Sequence, residues 1–178
     1  MKVNKNIYSG LFILAMCSIA MLNFALAPAH AYDPKEGSGL PVPRFVSIKS
    51  DNAFVRTGPS MDYPIKFVFK REGLPVQIIQ EFDAWRKIKD PSGETGWVHK
   101  LLLSGKRTAM ITSDSGAPLF RKADASTPIM RLEKNVIVTA KECDSVWCNV
   151  DIPYKADITK GWIMQKNIWG IAETEKFN

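Results

Sequence analysis

Trp85-Arg86-Lys87-Ile88-Lys89-Asp90-Pro91-Ser92-Gly93-Glu94-Thr95-Gly96-Trp97-Val98-His99 contains two short alternating runs separated by a cluster of turn residues. In an extended strand, successive side chains point to opposite faces. Trp85, Lys87 and Lys89 therefore share one face and Arg86 and Ile88 the other, and Ile88 marks the second face as the core side. The same alternation sends Val98 inward and Trp97 and His99 outward. With Asp90-Pro91-Ser92-Gly93 closing the hairpin, Trp85 and Trp97 are expected near one another on the outer face. Two solvated tryptophans leave apolar area uncovered at about 25 cal/mol per Å², so something must cover them: a ligand, another part of the chain, or the stems of Lys87 and Lys89.

The pattern continues on both sides. Phe45-Val46-Ser47-Ile48, Ala53-Phe54-Val55, Ile65-Lys66-Phe67-Val68-Phe69 and Leu74-Pro75-Val76-Gln77-Ile78-Ile79 read as strands, punctuated by Gly58-Pro59-Ser60 and Glu72-Gly73. No stretch sustains helical periodicity for three turns. The expected class is all-β.

The second half repeats the first at an offset of about 61–65 residues. Gly96-Trp97-Val98 is matched by Gly161-Trp162-Ile163, Trp85 by Trp147, Tyr63-Pro64-Ile65 by Thr127-Pro128-Ile129, and Val55-Arg56 by Phe120-Arg121. Units of about 60 residues bury a small fraction of their surface and are marginal alone. Packing two together, or stapling one, relieves that.

Asn52-Ala53-Phe54-Val55-Arg56-Thr57-Gly58-Pro59-Ser60, then Glu72-Gly73, Trp85-x-Lys87-Ile88 and Gly96-Trp97-Val98 resembles the bacterial SH3-like domain, whose pattern runs N-V-R-x-G-P-S, K-G, W-x-K-V, G-W-V in this order. The resemblance is close over residues 45–103 and weaker over 108–170, where Arg121-Lys122-Ala123-Asp124-Ala125 replaces the R-x-G-P-S run. It implies two tandem, partly open β-barrels of five to six strands each. It also implies an exported module that binds cell-wall peptidoglycan or a peptide segment of an envelope protein. The segments expected are a leader over 1–31, a flexible Pro/Gly/Ser-rich linker over 32–44, barrels over 45–106 and 107–171, and a tail over 172–178.

The candidate ligand groove lies on the first copy. Trp85 and Trp97 form its floor, Arg56 and Tyr63 its walls, and Arg56 and Lys87 hold anionic groups. Aromatic platforms suit sugar rings and extended peptides, and arginine suits a carboxylate. The second copy is expected to serve as spacer or packing partner. The alternative reading is a scaffold or secreted effector that docks a protein through the surface between the barrels.

The leader carries Lys2 and Lys5, an apolar run over 7–26 and Ala29-His30-Ala31 before Tyr32, the three parts of a cleavable signal peptide. An uncleaved anchor is the alternative. Cleavage leaves 147 residues with 22 basic and 18 acidic side chains, a mild net charge of +4. That charge does not call for nucleic acid, and the membrane enters only through the leader. Export, to the periplasm or beyond it, places Cys143 and Cys148 in an oxidising compartment, where the pair is expected to bridge across a four-residue hairpin loop. Their C-x₄-C spacing differs from the C-x-x-C of redox dithiols. His99 is the one histidine after the leader, so neither a Cys–His pair nor a multi-histidine metal site is expected. Carboxylates such as Glu81 and Asp83 read as solvated turn residues. No catalytic residue or cofactor is expected.

Overall fold

The structure, a computed structural model, describes residues 37–154, 156–173 and 175–177; the expected leader lies outside the described residues. The first half contains β1 (Arg44–Ile48), β2 (Ala53–Arg56), β3 (Ile65–Phe69), β4 (Pro75–Phe82), β5 (Trp85–Lys89), β6 (Thr95–His99) and β7 (Leu103–Ser104). They form one antiparallel sheet in the order β3-β2-β6-β5-β4-β1-β7. The second half contains β8 (Thr108–Ile111), β9 (Ala117–Phe120), β10 (Pro128–Leu132), β11 (Ile137–Asp144), β12 (Trp147–Tyr154), β13 (Asp157–Met164), β14 (Ile168–Trp169) and β15 (Lys176–Phe177). Its order, β10-β9-β13-β12-β11-β8-β14, repeats the first strand for strand, with β15 added beside β11. The sequence repeat is thus a structural repeat of two SH3-like barrels, each with more strands than the five or six expected, because two-residue strands close the ends.

Alternation decides the cores. Ile48, Val55, Val76, Ile78, Ile88 and Val98 fill the first, and Ile111, Leu119, Val138, Val150 and Ile163 the second. The glycine of each Gly-Trp pair is demanded by the packing. A Cβ on Gly96 would lie 2.4 Å from Val55 Cγ1, and one on Gly161 would lie 2.7 Å from Leu119 Cγ. This equivalence corrects the alignment by one residue: Val55 corresponds to Leu119, and Arg56 to Phe120. The register agrees, since Arg56 pairs Trp97 and Phe120 pairs Trp162. These are the single register pairs by which β2 meets β6 and β9 meets β13.

The hairpin β4–β5 turns over two residues, Asp83 and Ala84, with Asp83 at φ 47°. The hairpin β11–β12 does the same over Ser145 and Val146, with Ser145 at φ 82°. The disulfide Cys143–Cys148 is present, with Cα atoms 4.2 Å apart. Its loop is not the four-residue turn expected, because Asp144 holds the turn tight by accepting from the N–H groups of Val146 (2.8 Å) and Trp147 (2.7 Å). The hairpin β12–β13 is an unbroken ladder from Trp147↔Met164 to Tyr154↔Asp157.

Glu81 is the main departure from the sequence reading. It is no solvated turn carboxylate: it is 4% exposed. It lies opposite Arg86, whose Nε forms an ion pair with it at 2.9 Å, and it accepts from Arg44 and from the backbone and hydroxyl of Ser38. A buried carboxylate requires such donors, and these bonds tie residue 38, expected in a flexible linker, to the first barrel. At the other end, the expected tail is held too. Lys176 and Phe177 pair with Asp144 and Cys143, and Arg107 reaches the Glu175 carboxylate, the Phe177 ring at 5.0 Å and the Phe45 carbonyl at 3.2 Å.

Candidate functional site

The outer face of the first barrel carries two transverse rows. Cross-strand pairing aligns Phe82, Trp85 and His99 in one, and Gln80, Lys87, Trp97, Arg56 and Ile65 in the next. The structure therefore brings Trp85, Lys87, Trp97 and Arg56 together on one face, as the alternation implied. Tyr63 joins them through the loop between β2 and β3, where Arg56 donates through Nη1 to the Tyr63 carbonyl at 2.7 Å. The Thr57 N–H donates to the Pro64 carbonyl at 3.0 Å and closes that loop.

The cover that two outward-facing tryptophans require comes from within the chain. Trp85 is 7% and Trp97 9% exposed, so neither ring offers a free platform. Their neighbours in the rows are long: Phe82 and His99 flank Trp85, and Lys87 and Arg56 flank Trp97. His99 meets the Trp85 ring edge-on at 5.4 Å and also accepts from the Leu101 N–H at 3.4 Å. The apolar groups offered to solvent surround them instead: Met61, Tyr63 (47% exposed), Ile65 and Phe82. Arg56 and Lys87 are half-buried between the two sets.

Gly58 positions Tyr63. A Cβ there would lie 2.5 Å from the tyrosine ring carbons, so the ring rests on the glycine backbone. The second barrel has Lys122 in place of Gly58 and Ser126 two residues before β10, where Tyr63 stands before β3. Glycine and tyrosine are lost together. That barrel also has Phe120 for Arg56 and Asn149 for Lys87, as the pairing Asn149↔Trp162 shows. Trp147 and Phe120 meet edge-on at 5.6 Å. The second face is aromatic but lacks both cations.

Cys143↔Cys148 and Glu81↔Arg86 each lie one pair back from the two-residue turn. The counterpart of the disulfide is thus Glu81–Arg86. Burial alone would raise the Glu81 carboxyl, but the Ser38 N–H and hydroxyl and the Arg44 guanidinium hold it below its ordinary value.

Two features escaped the sequence reading. Trp169 packs edge-on to Phe45 at 4.9 Å across the junction of the barrels. Beside them opens a cleft of about 650 Å³ that both barrels line.

The model of the bacterial SH3 domain matches the chain over residues 49–105 and again over 113–170. No curated relative matches it. Among solved structures it is similar to NlpC2 and NlpC1 from Trichomonas vaginalis, at 13% and 12% identity and TM-scores of 0.31 and 0.31. Those similarities cover 73% and 75% of this chain but 49% and 48% of the others, so the chain spans about half the length of either. The two matched stretches account for most of both sheets and more than half of the residues: the chain belongs to the bacterial SH3 domain family, of which it carries two tandem copies.

Proposed function

We propose that the protein is an exported, non-enzymatic binding module whose first barrel holds cell-wall peptidoglycan, or a peptide segment of an envelope protein, across its outer face. The observation that carries this reading is the row Lys87–Trp97–Arg56, with Tyr63 bound to Arg56, on a face rimmed by exposed apolar side chains. Contact is made by Tyr63, Arg56 and Lys87. The buried Trp85 and Trp97 form a rigid underlayer that fixes the spacing of the two cations. Guanidinium and ammonium groups suit the carboxylates of a peptide stem, and the tyrosine ring suits a sugar or peptide plane. The second barrel, with Phe120 and Asn149 in place of those cations, supports the first.

The test is retention of residues 32–178 on purified insoluble peptidoglycan, alongside Tyr63→Ala and Lys87→Glu. Retention of the wild type and its loss in both folded variants supports the reading. A wild type that stays in the supernatant at low salt overturns wall binding and leaves the peptide arm to be tested.

A further inference from the structure

The cleft at the barrel junction is distinct from the outer face. Phe45 and Gln77, neighbours across β1 and β4, line it from the first barrel. Gln165, Lys166, Trp169 and Glu173 line it from the second. Its volume of about 650 Å³ falls within the range of small-ligand sites, which often form where two domains meet.

Its chemistry is specific. Gln165 is only 5% exposed, and its Nε2 donates to the Ala172 carbonyl. Its Oε1 is buried without a hydrogen-bond partner. Buried acceptors are ordinarily satisfied, so a turn of the Gln165 amide that brought this oxygen to the cleft surface would gain a hydrogen bond from a ligand N–H. Gln77 adds a second side-chain amide, and an amide both donates and accepts, as a peptide group does. The Phe45–Trp169 pair provides an apolar wall. Lys166 and Glu173, both exposed, set an ammonium and a carboxylate on the lining. A ligand matching all of this has peptide groups in the middle and one charge of each sign.

We propose that this cleft binds a short peptide with free termini, its carboxylate toward Lys166 and its ammonium toward Glu173. The inference does not rest on the outer-face reading, because it uses none of the same residues.

The experiment is a titration of residues 32–178 with trialanine, followed by ¹H–¹⁵N spectra that include the Gln165 side-chain amide. N-acetylated and C-amidated trialanine are run beside it. The expected result is saturable displacement of the Gln165 amide by the free peptide, with affinity falling about tenfold on blocking either end. Lys166→Glu and Glu173→Lys, both at exposed positions, should each cause a similar loss. Tyr63→Ala/Lys87→Glu should bind trialanine as the wild type does, which separates this site from the outer face. No saturable shift at millimolar peptide, or equal binding by the blocked peptides or by either charge-reversal variant, overturns the proposal.

Discussion

Glu81 in the first barrel stands where Cys143 stands in the second: one pair back from the turn, on the strand that enters the hairpin, facing the residue that leaves it. One position is bridged to Arg86 by charge and the other to Cys148 by a covalent bond. Both pairs lie where the core-facing side of the hairpin meets its turn. There an unpaired polar group would be buried and an open end would fray.

Glu81→Gln should destabilise the first barrel by about 3 kcal/mol, because it leaves Arg86 buried beside a neutral amide. Replacing both partners, as in Glu81→Met/Arg86→Leu, should cost much less. The carboxyl is held below its ordinary value near 4.5, so its contribution is complete above that value and disappears as the pH falls through the lowered one. Urea denaturation at neutral pH and at successively lower pH should therefore show the gap between wild type and Glu81→Gln closing in acid. A constant gap would count against the assignment.

Reducing Cys143–Cys148, or replacing both with serine, should lower stability by about 2 kcal/mol, the chain-entropy value for so short a loop. The first barrel should lose little, as its counterpart is ionic. Conversely, Glu81→Cys/Arg86→Cys should yield a second disulfide on air oxidation, detected by thiol titration after denaturation.

Gly96→Ala should cost about 2 kcal/mol through overpacking against Val55, measured by thermal or urea melts. Gly58→Ala should leave the core intact and displace Tyr63, so its effect should appear in ligand retention and in the Tyr63 ring resonances. A variant with an unmoved Tyr63 ring would contradict the contact.

Trp85→Ala and Trp97→Ala should each destabilise the fold by about 3 kcal/mol or more, as buried aromatics do. Tyr63→Ala and Lys87→Glu should leave the melting transition within about 0.5 kcal/mol of wild type. Circular dichroism melts separate the two pairs before any binding assay is read.

Alternation along Trp85–Lys89 and Gly96–His99 puts the candidate residues on one side, the short apolar runs between turn residues give the class, and the recurring Trp and Gly-Trp motifs give the repeat. The burial of Trp85 and Trp97 was not legible, because it depends on which long side chains the neighbouring strands bring alongside: His99 from β6, Arg56 from β2. Glu81 was misread for a related reason. A carboxylate two residues before a turn resembles a solvated one until Ser38 and Arg44, about forty positions away in the chain, are folded onto it. Short motifs such as Val-Arg and Phe-Arg leave the frame of the two copies open by one residue, and the contacts of Gly96 with Val55 and of Gly161 with Leu119 settle it. Trp169 and Gln165 belong to a cleft that exists only once two barrels are joined, and neither barrel's repeat pattern encodes it.

In backbone register the hairpin β2–β3 meets the rest of its sheet at one pair, Arg56↔Trp97, while Ala53 and Val55 anchor it in the core. A segment with so short a backbone ladder is where local opening, at less cost than global unfolding, is expected. Any occupant of the outer face that touches both Tyr63 and Lys87 straddles that seam, binds only the closed form, and so shifts the opening equilibrium by mass action. Recognition and local folding are then one thermodynamic event. Occupancy can be followed without labelling the ligand, as slowed amide-hydrogen exchange across residues 53–69 in a barrel whose other strands exchange as before.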